Sequence, residues 1–196
     1  MDGSWKRKME LIPEFKIGWL NGWIPLVIYF VSLILSVSLY SKESRQWLFN
    51  NPKDESNNAL LFIRLFGQLL MVIYIVLMIF TPIQINHLAF LIGAALYAFG
   101  FILEMSALHH FRITRINEPV EGGPYRISRN PQWVGLFLVL LGSAIAVRIW
   151  LYIGMVIGVG FIYHIQILDE EKLCLAKYGE SYRAYMMKVP RYLLFF

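Results

Sequence analysis

Charge is scarce in this chain of 196 residues: Asp, Glu, Lys and Arg make up 16% of it, against about 25% in a soluble globular domain. That shortage argues against a fully solvated surface. A single cysteine, Cys174, excludes an internal disulfide framework and a thiolate cage for zinc, and it reads as a small buried apolar side chain. No Lys/Arg-rich block interleaves with exposed aromatics, so the net charge of +5 does not point to nucleic acid. Neither an internal repeat nor a low-complexity tract is visible. A secretory signal is not expected either: Lys6, Arg7 and Lys8 are followed by Pro13, Glu14 and Lys16, and the next apolar run lacks a small-residue cleavage pattern.

What the chain does have is apolar length. Residues of the AVILMFWYC group make up 58% of it, and its mean hydropathy is +0.55. Runs of this kind, long enough to cross a core of about 30 Å, predict helices at about Trp23–Tyr40, Ala59–Phe80 and Leu88–Leu108. The last apolar block, Trp133–Leu168, is roughly twice one bilayer thickness at about 1.5 Å per residue. It therefore predicts two helices joined by a tight turn near Val147, Arg148 and Ile149. Gly93, Ala94, Ala95, Ala98 and Gly100 permit close helix contact in the third span, and Gly142, Gly154, Gly158 and Gly160 do the same for the hairpin. Arg64, near the end of the second span, is expected to snorkel in a structural role. The fold class that follows is an all-α integral membrane protein of about five transmembrane helices, with a cytoplasmic amphipathic C-terminal tail folded over the site.

One membrane domain accounts for residues 1–196. Residues 1–22 read as an interfacial tail in which Trp5, Leu11, Ile12, Phe15, Ile17 and Trp19 touch head groups. Residues 23–108 hold three spans, with a solvated linker at 41–58 whose Trp47, Leu48 and Phe49 dip into the interface. Residues 109–132 are a cytoplasmic loop rich in turn residues, 133–168 the hairpin, and 169–196 a cytoplasmic tail. Placing the carboxyl terminus in the cytoplasm puts most of the eighteen basic residues on the inside, as the positive-inside rule favours. The membrane is the plasma membrane in a prokaryote and the endoplasmic reticulum in a eukaryote.

Two polar patches bracket the hairpin. In Gly123–Gly135, Arg126 and Arg129 offer guanidinium forks for a carboxylate or phosphate, and Pro131 opens a helix whose free backbone donors suit another anionic group. In Leu168–Arg191, Glu170 and Glu171 supply negative charge. Glu104, a carboxylate inside an apolar helix, is paired, bonded within the bundle or part of a site. Trp133, Tyr125, Tyr163, Tyr178, Tyr182 and Tyr185 serve either as an aromatic belt or as a surface for an adenine ring or a sulfonium cation. His109 and His110 point about 100° apart on a helix, and the spacing of the four histidines does not describe a metal site.

These patches resemble the isoprenylcysteine carboxyl methyltransferase and phospholipid N-methyltransferase superfamily. The family's loop, arginine, histidine, proline, any residue, tyrosine, any residue, glycine, stands here as Arg129, Asn130, Pro131, Gln132, Trp133, Val134, Gly135. Its second patch stands as Glu170, Glu171, Leu173, Tyr178, Gly179, Tyr182, Tyr185 and Arg191. The likeness covers about residues 90–196. It implies S-adenosylmethionine as cofactor, enclosed between loop and tail, and a lipidic or prenylated acceptor entering from the bilayer. It also implies cofactor contacts from Tyr125, Arg126, Asn130, Pro131, Trp133, Gly135, Glu170, Tyr178 and Tyr182. Asn130 in place of histidine still donates and accepts hydrogen bonds but does not titrate near neutrality.

In-line methyl transfer requires alignment of acceptor, methyl and sulfur more than proton transfer. A carboxylate acceptor would be oriented by Arg129 or Arg126, and an amine would be deprotonated by Glu171 or Glu104 if burial raises its pKa. Arg129, Glu171 and Glu104 are thus the expected catalytic residues. Two other classes remain open. One is an NADPH-dependent membrane sterol or lipid reductase, which the stretch CLAKYG at Cys174–Gly179 resembles. The other is a non-catalytic membrane scaffold.

Overall fold

Where charge is absent for twenty residues the backbone can satisfy its polar groups only internally, and the apolar runs accordingly form helices. The computed structural model describes residues 10–16, 18–49, 58–115 and 117–193, with the side chains of 47–49 excepted. Among them α1 spans Trp23–Ser38, α2 Lys42–Phe49, α3 Asn58–Ile79, α4 Leu88–Ile113, α5 Pro131–Val147, α6 Trp150–Tyr178 and α7 Glu180–Lys188. Helices α3, α4 and α6, with 22, 26 and 29 residues, are long and apolar enough to cross a membrane. The other two apolar helices, α1 and α5, have 16 and 17 residues, about 24 and 26 Å, short of a core of about 30 Å. Of five expected spans, three therefore have full spanning length.

Consecutive apolar helices alternate in direction, so α4 runs antiparallel to α5 and α3 to α6, while α1 lies parallel to α4, with Pro25 at Tyr97 and Tyr29 at Glu104. At one face the start of α1 meets the end of α3, where the Gly22 amide donates to the Thr81 carbonyl, and Glu10 pairs with the Arg148–Trp150 turn between α5 and α6. Leu11, Ile12, Phe15 and Trp19 of this segment are exposed, while Trp5 and Ile17 lie outside the described residues. The other face gathers the end of α4, the 114–130 loop, the start of α5, the end of α6 and α7. Tyr40 Oη donates to the Leu108 carbonyl there.

Glycines decide the tightest seam, which lies between α4 and α5. A Cβ on Gly93 would stand 2.5 Å from the Gly142 carbonyl oxygen, and one on Gly100 2.6 Å from that of Gly135. Only hydrogen fits at these crossings. Gly142 thus packs against α4, whereas the sequence assigns it to the contact within the hairpin. Gly154 meets nothing, Gly158 faces Leu70 of α3, and Gly160 faces Phe137 of α5. The hairpin turn itself falls where expected, with Arg148 in the left-handed region at φ 62° closing α5.

There are three further differences from the sequence reading, and in α4 and α6 the cause is that a change of polarity does not by itself end a helix. The 41–58 linker contains α2; the interfacial insertion expected of Trp47, Leu48 and Phe49 lies outside the described side chains. Helix α4 continues past Leu108 to Ile113, so His109 and His110 are helical. Helix α6 runs unbroken through Leu168 to Tyr178. At about 44 Å it exceeds the hydrocarbon thickness by two to three turns, which carries Glu170, Glu171 and Cys174 beyond the apolar layer. Arg64 of α3 is ion-paired with Asp169 of α6. Large apolar side chains such as Phe62, Phe66, Ile102 and Phe161 face outward, the surface expected of a protein solvated by lipid.

Candidate active site beneath the C-terminal tail

The site is built where α5 begins. Asn130, the residue before Pro131, has φ −127° and ψ 52°, and its side chain makes no cap bond to α5. It turns instead to the tail, donating to Glu171 Oε1 at 3.2 Å and the Arg191 carbonyl at 3.3 Å. Arg129 donates through Nε to the same Oε1 at 3.0 Å and through Nη1 to the carbonyls of Met186 (2.8 Å) and Val189 (2.9 Å). Arg191 reaches back with Nε and Nη2 to Glu171 Oε2 at 3.0 and 2.9 Å. One buried carboxylate therefore holds loop, helix and tail together.

Burial alone would raise the Glu171 carboxyl. The Arg191 and Arg129 guanidiniums outweigh it and hold the group below its ordinary value. Glu171 is thus an ionised acceptor of four hydrogen bonds. The elevated pKa on which a role as base depends is not its condition.

Upstream, a 3-10 turn at Gly123–Arg126 places Tyr125 under the tail, and Tyr185 Oη donates to its carbonyl at 2.6 Å. Gly123 has φ +55°, and a Cβ there would stand 2.3 Å from the His110 ring. Trp133, one turn into α5, donates through Nε1 to Glu170 Oε2 at 3.1 Å and packs on Tyr163 with ring centroids 4.6 Å apart. Tyr178, Tyr182 and Tyr185 continue the aromatic wall. Burial keeps the phenols of Tyr182 and Tyr185 protonated and pushes the Cys174 thiol up to about 11, which makes it inert.

These elements enclose a cavity of about 120 Å³. Of the residues expected at a site, Tyr125, Arg129, Asn130, Trp133, Glu170, Glu171, Tyr178 and Tyr182 line it. Pro131 and Gly135 lie in the adjoining first turns of α5, with Gly135 pressed against Glu104. Arg126 is exposed and Glu104 is outside the lining. Glu104 is buried in the α4–α5 seam, where Oε1 accepts from Tyr29 Oη at 2.7 Å and Oε2 has no partner among the described residues.

Sequence reasoning gave no site role to Gln132, which lines the cavity, or to Ser128, whose hydroxyl bonds the Arg191 carbonyl at 3.0 Å. It also missed an apolar groove of about 600 Å³ between α5 and α6, lined by Trp133, Phe137, Ile157, Phe161, His164 and Tyr192 among others. The one signal for it was a histidine inside an apolar span. Trp133 belongs to both spaces, so they adjoin at its ring.

Residues 88–181 match the phospholipid methyltransferase family. The match runs from the start of α4 through the loop, the hairpin and the paired glutamates into α7. The stretch takes in both of the patches on which the sequence resemblance rests, apart from Tyr182, Tyr185 and Arg191 at the end of the second. Comparisons with curated proteins and with solved structures give no match.

Proposed function

We propose that this chain, with its phospholipid methyltransferase stretch at 88–181, transfers a methyl group from S-adenosylmethionine to a lipidic acceptor that reaches the site from the bilayer. The observation that carries the reading is the adjacency of two spaces at Trp133: a polar, aromatic cavity beneath the tail and an apolar groove open along α5 and α6. A polar cofactor and an apolar acceptor would meet there.

The donor set suits that cofactor. Trp133, Tyr178 and Tyr182 offer faces for the adenosyl group, and Glu170 offers a carboxylate for the ammonium. Arg129 and Arg191 are committed to Glu171 and to tail carbonyls. The cofactor's carboxylate would instead meet the backbone donors at the start of α5, which Asn130 leaves uncapped. Bound there, the cofactor supplies an electrophilic methyl on a sulfonium. The chain's task is alignment, and Glu171 acts as a positioning residue that fixes Arg129, Asn130 and the tail.

A cavity of about 120 Å³ is smaller than the 300–1,000 Å³ typical of small-molecule sites. A cofactor of ordinary size would need the cavity to widen. Gly179, at φ +57° between α6 and α7, is the hinge that the backbone offers.

The test is transfer of labelled methyl from S-adenosylmethionine to a total lipid extract by the purified protein. Label is expected in the lipid phase, falling about 100-fold in Glu171→Gln through lost alignment. Absence of lipid label from folded wild type would sink the reading, and undiminished turnover by Glu171→Gln would remove Glu171 from it.

A further inference from the structure

The cavity beneath the tail holds a buried donor that nothing in the fold uses. Gln132, which follows Pro131 in the first turn of α5, lines this space. Its Nε2 is buried and has no hydrogen-bond partner among the described residues. A buried donor left unpaired destabilises the folded chain, and where it lines a cavity that cost is offset by what enters. The side chains beside it are differently placed. Asn130 donates to Glu171 and the Arg191 carbonyl, and Trp133 donates to Glu170.

The charges around the cavity describe what would enter. Arg129 and Arg191 share one carboxylate, Glu171, so the trio carries a net positive charge. Glu170 brings a negative charge to the same lining. A space with one pole of each sign suits a zwitterion. At about 120 Å³ it is small enough for its walls to reach both ends of an α-amino acid, whose ammonium and carboxylate share one carbon.

The position of Gln132 decides which end it meets. Its orphan group is an N–H donor, which bonds a carboxylate oxygen and not an ammonium. The tyrosines that could stack a ring, Tyr178 and Tyr182, come from the end of α6 and from α7. Gln132 stands instead beside Trp133, whose indole holds Glu170. The amino-acid end of the cofactor therefore falls on the α5 side, with the ammonium at Glu170 and the carboxylate within reach of Gln132.

We propose, building on the methyltransferase reading, that Gln132 binds the α-carboxylate of the cofactor through Nε2 and makes the site selective for S-adenosyl ligands that carry this group. No proton moves and no covalent bond forms at Gln132, so its effect is on affinity. The loop motif takes any residue at this position, so the contact is particular to this chain.

The experiment is calorimetric titration of the full chain in detergent with S-adenosylhomocysteine and with its decarboxylated analogue, which lacks only the carboxylate. Wild type should bind the analogue about tenfold more weakly. Gln132→Met, close in length and volume, should bind S-adenosylhomocysteine about tenfold more weakly than wild type and the analogue equally well. Gln132→Glu, which sets a second carboxylate against the first, should weaken S-adenosylhomocysteine further. Thermal unfolding of ligand-free Gln132→Met should come no lower than that of wild type, because the variant removes an unpaired donor.

If wild type binds neither ligand, the methyltransferase reading itself falls. If it binds S-adenosylhomocysteine, the proposal is overturned by equal affinity of wild type for the two ligands or by undiminished binding to Gln132→Met. It is equally overturned by a loss in Gln132→Met as large for the analogue, by tighter binding to Gln132→Glu, or by a lower melting temperature of ligand-free Gln132→Met, which would make the amide a structural group.

Discussion

Glu171 accepts hydrogen bonds from Arg129, Asn130 and Arg191, so its charge is held in place by the loop before α5 and by the tail together. Replacing it with Gln leaves Arg129 buried without its counter-ion, and loss of one partner from a buried pair costs about 3–5 kcal/mol. A drop of that order is expected in the unfolding free energy of Glu171→Gln in detergent. The group also sets a pH dependence. Its carboxyl lies below the ordinary value of 4.5, so its stabilisation is complete above that value and is lost as pH falls through the depressed one. Thermal unfolding of wild type should weaken below about pH 4.5 more steeply than that of Glu171→Gln, and parallel curves would contradict the assignment. At this scale the sequence was informative about membership and silent about pairing. Arg129, Asn130 and Glu171 stand out as polar residues beside apolar runs. That Arg191 would close on Glu171 from 20 residues away, reversing the effect of burial on its pKa, depends on where the tail folds.

Among elements, the α4–α5 seam holds the site's floor in register, because Gly135 touches Glu104 and the loop to Arg129 begins one turn away. Valine at Gly100 would drive a Cβ to 2.6 Å from a backbone oxygen, and overpacking of this kind costs about 1–3 kcal/mol or more. Alanine at Gly154, with nothing within 4 Å, should be neutral or stabilising by up to about 1 kcal/mol. Thermal melts of the two variants should therefore move in opposite directions or leave Gly154→Ala unmoved. The small residues were visible in the sequence, but their partner helices were not. Composition shows that a face is small without saying which neighbour uses it, and Gly142 serves α4 rather than α6. The continuation of α6 to Tyr178 was hidden for a related reason: the switch from apolar to charged residues at Asp169 marks the end of the apolar layer, while only Gly179, at positive φ, ends the helix.

For the molecule as a whole, antiparallel helices bring the loop, the end of α6 and α7 to one face, with α3 joined to α6 by the Arg64–Asp169 pair. Both side chains are nearly buried, so Arg64→Ala or Asp169→Ala alone should destabilise by about 3 kcal/mol, and the double variant should lose less than the sum of the singles. Additive losses would show the pair to be uncoupled. The membrane class followed from composition because apolar length is a local property. The juxtaposition of cavity and groove did not, because it arises from how α5, α6 and the tail close around Trp133.

The most direct test of the central claim is calorimetric titration of the purified protein with S-adenosylhomocysteine, with NADPH titrated separately. The methyltransferase account predicts saturable binding of S-adenosylhomocysteine, weakened by Glu170→Gln, and none of NADPH. Binding of NADPH alone, or of neither by protein shown to be folded, would contradict it.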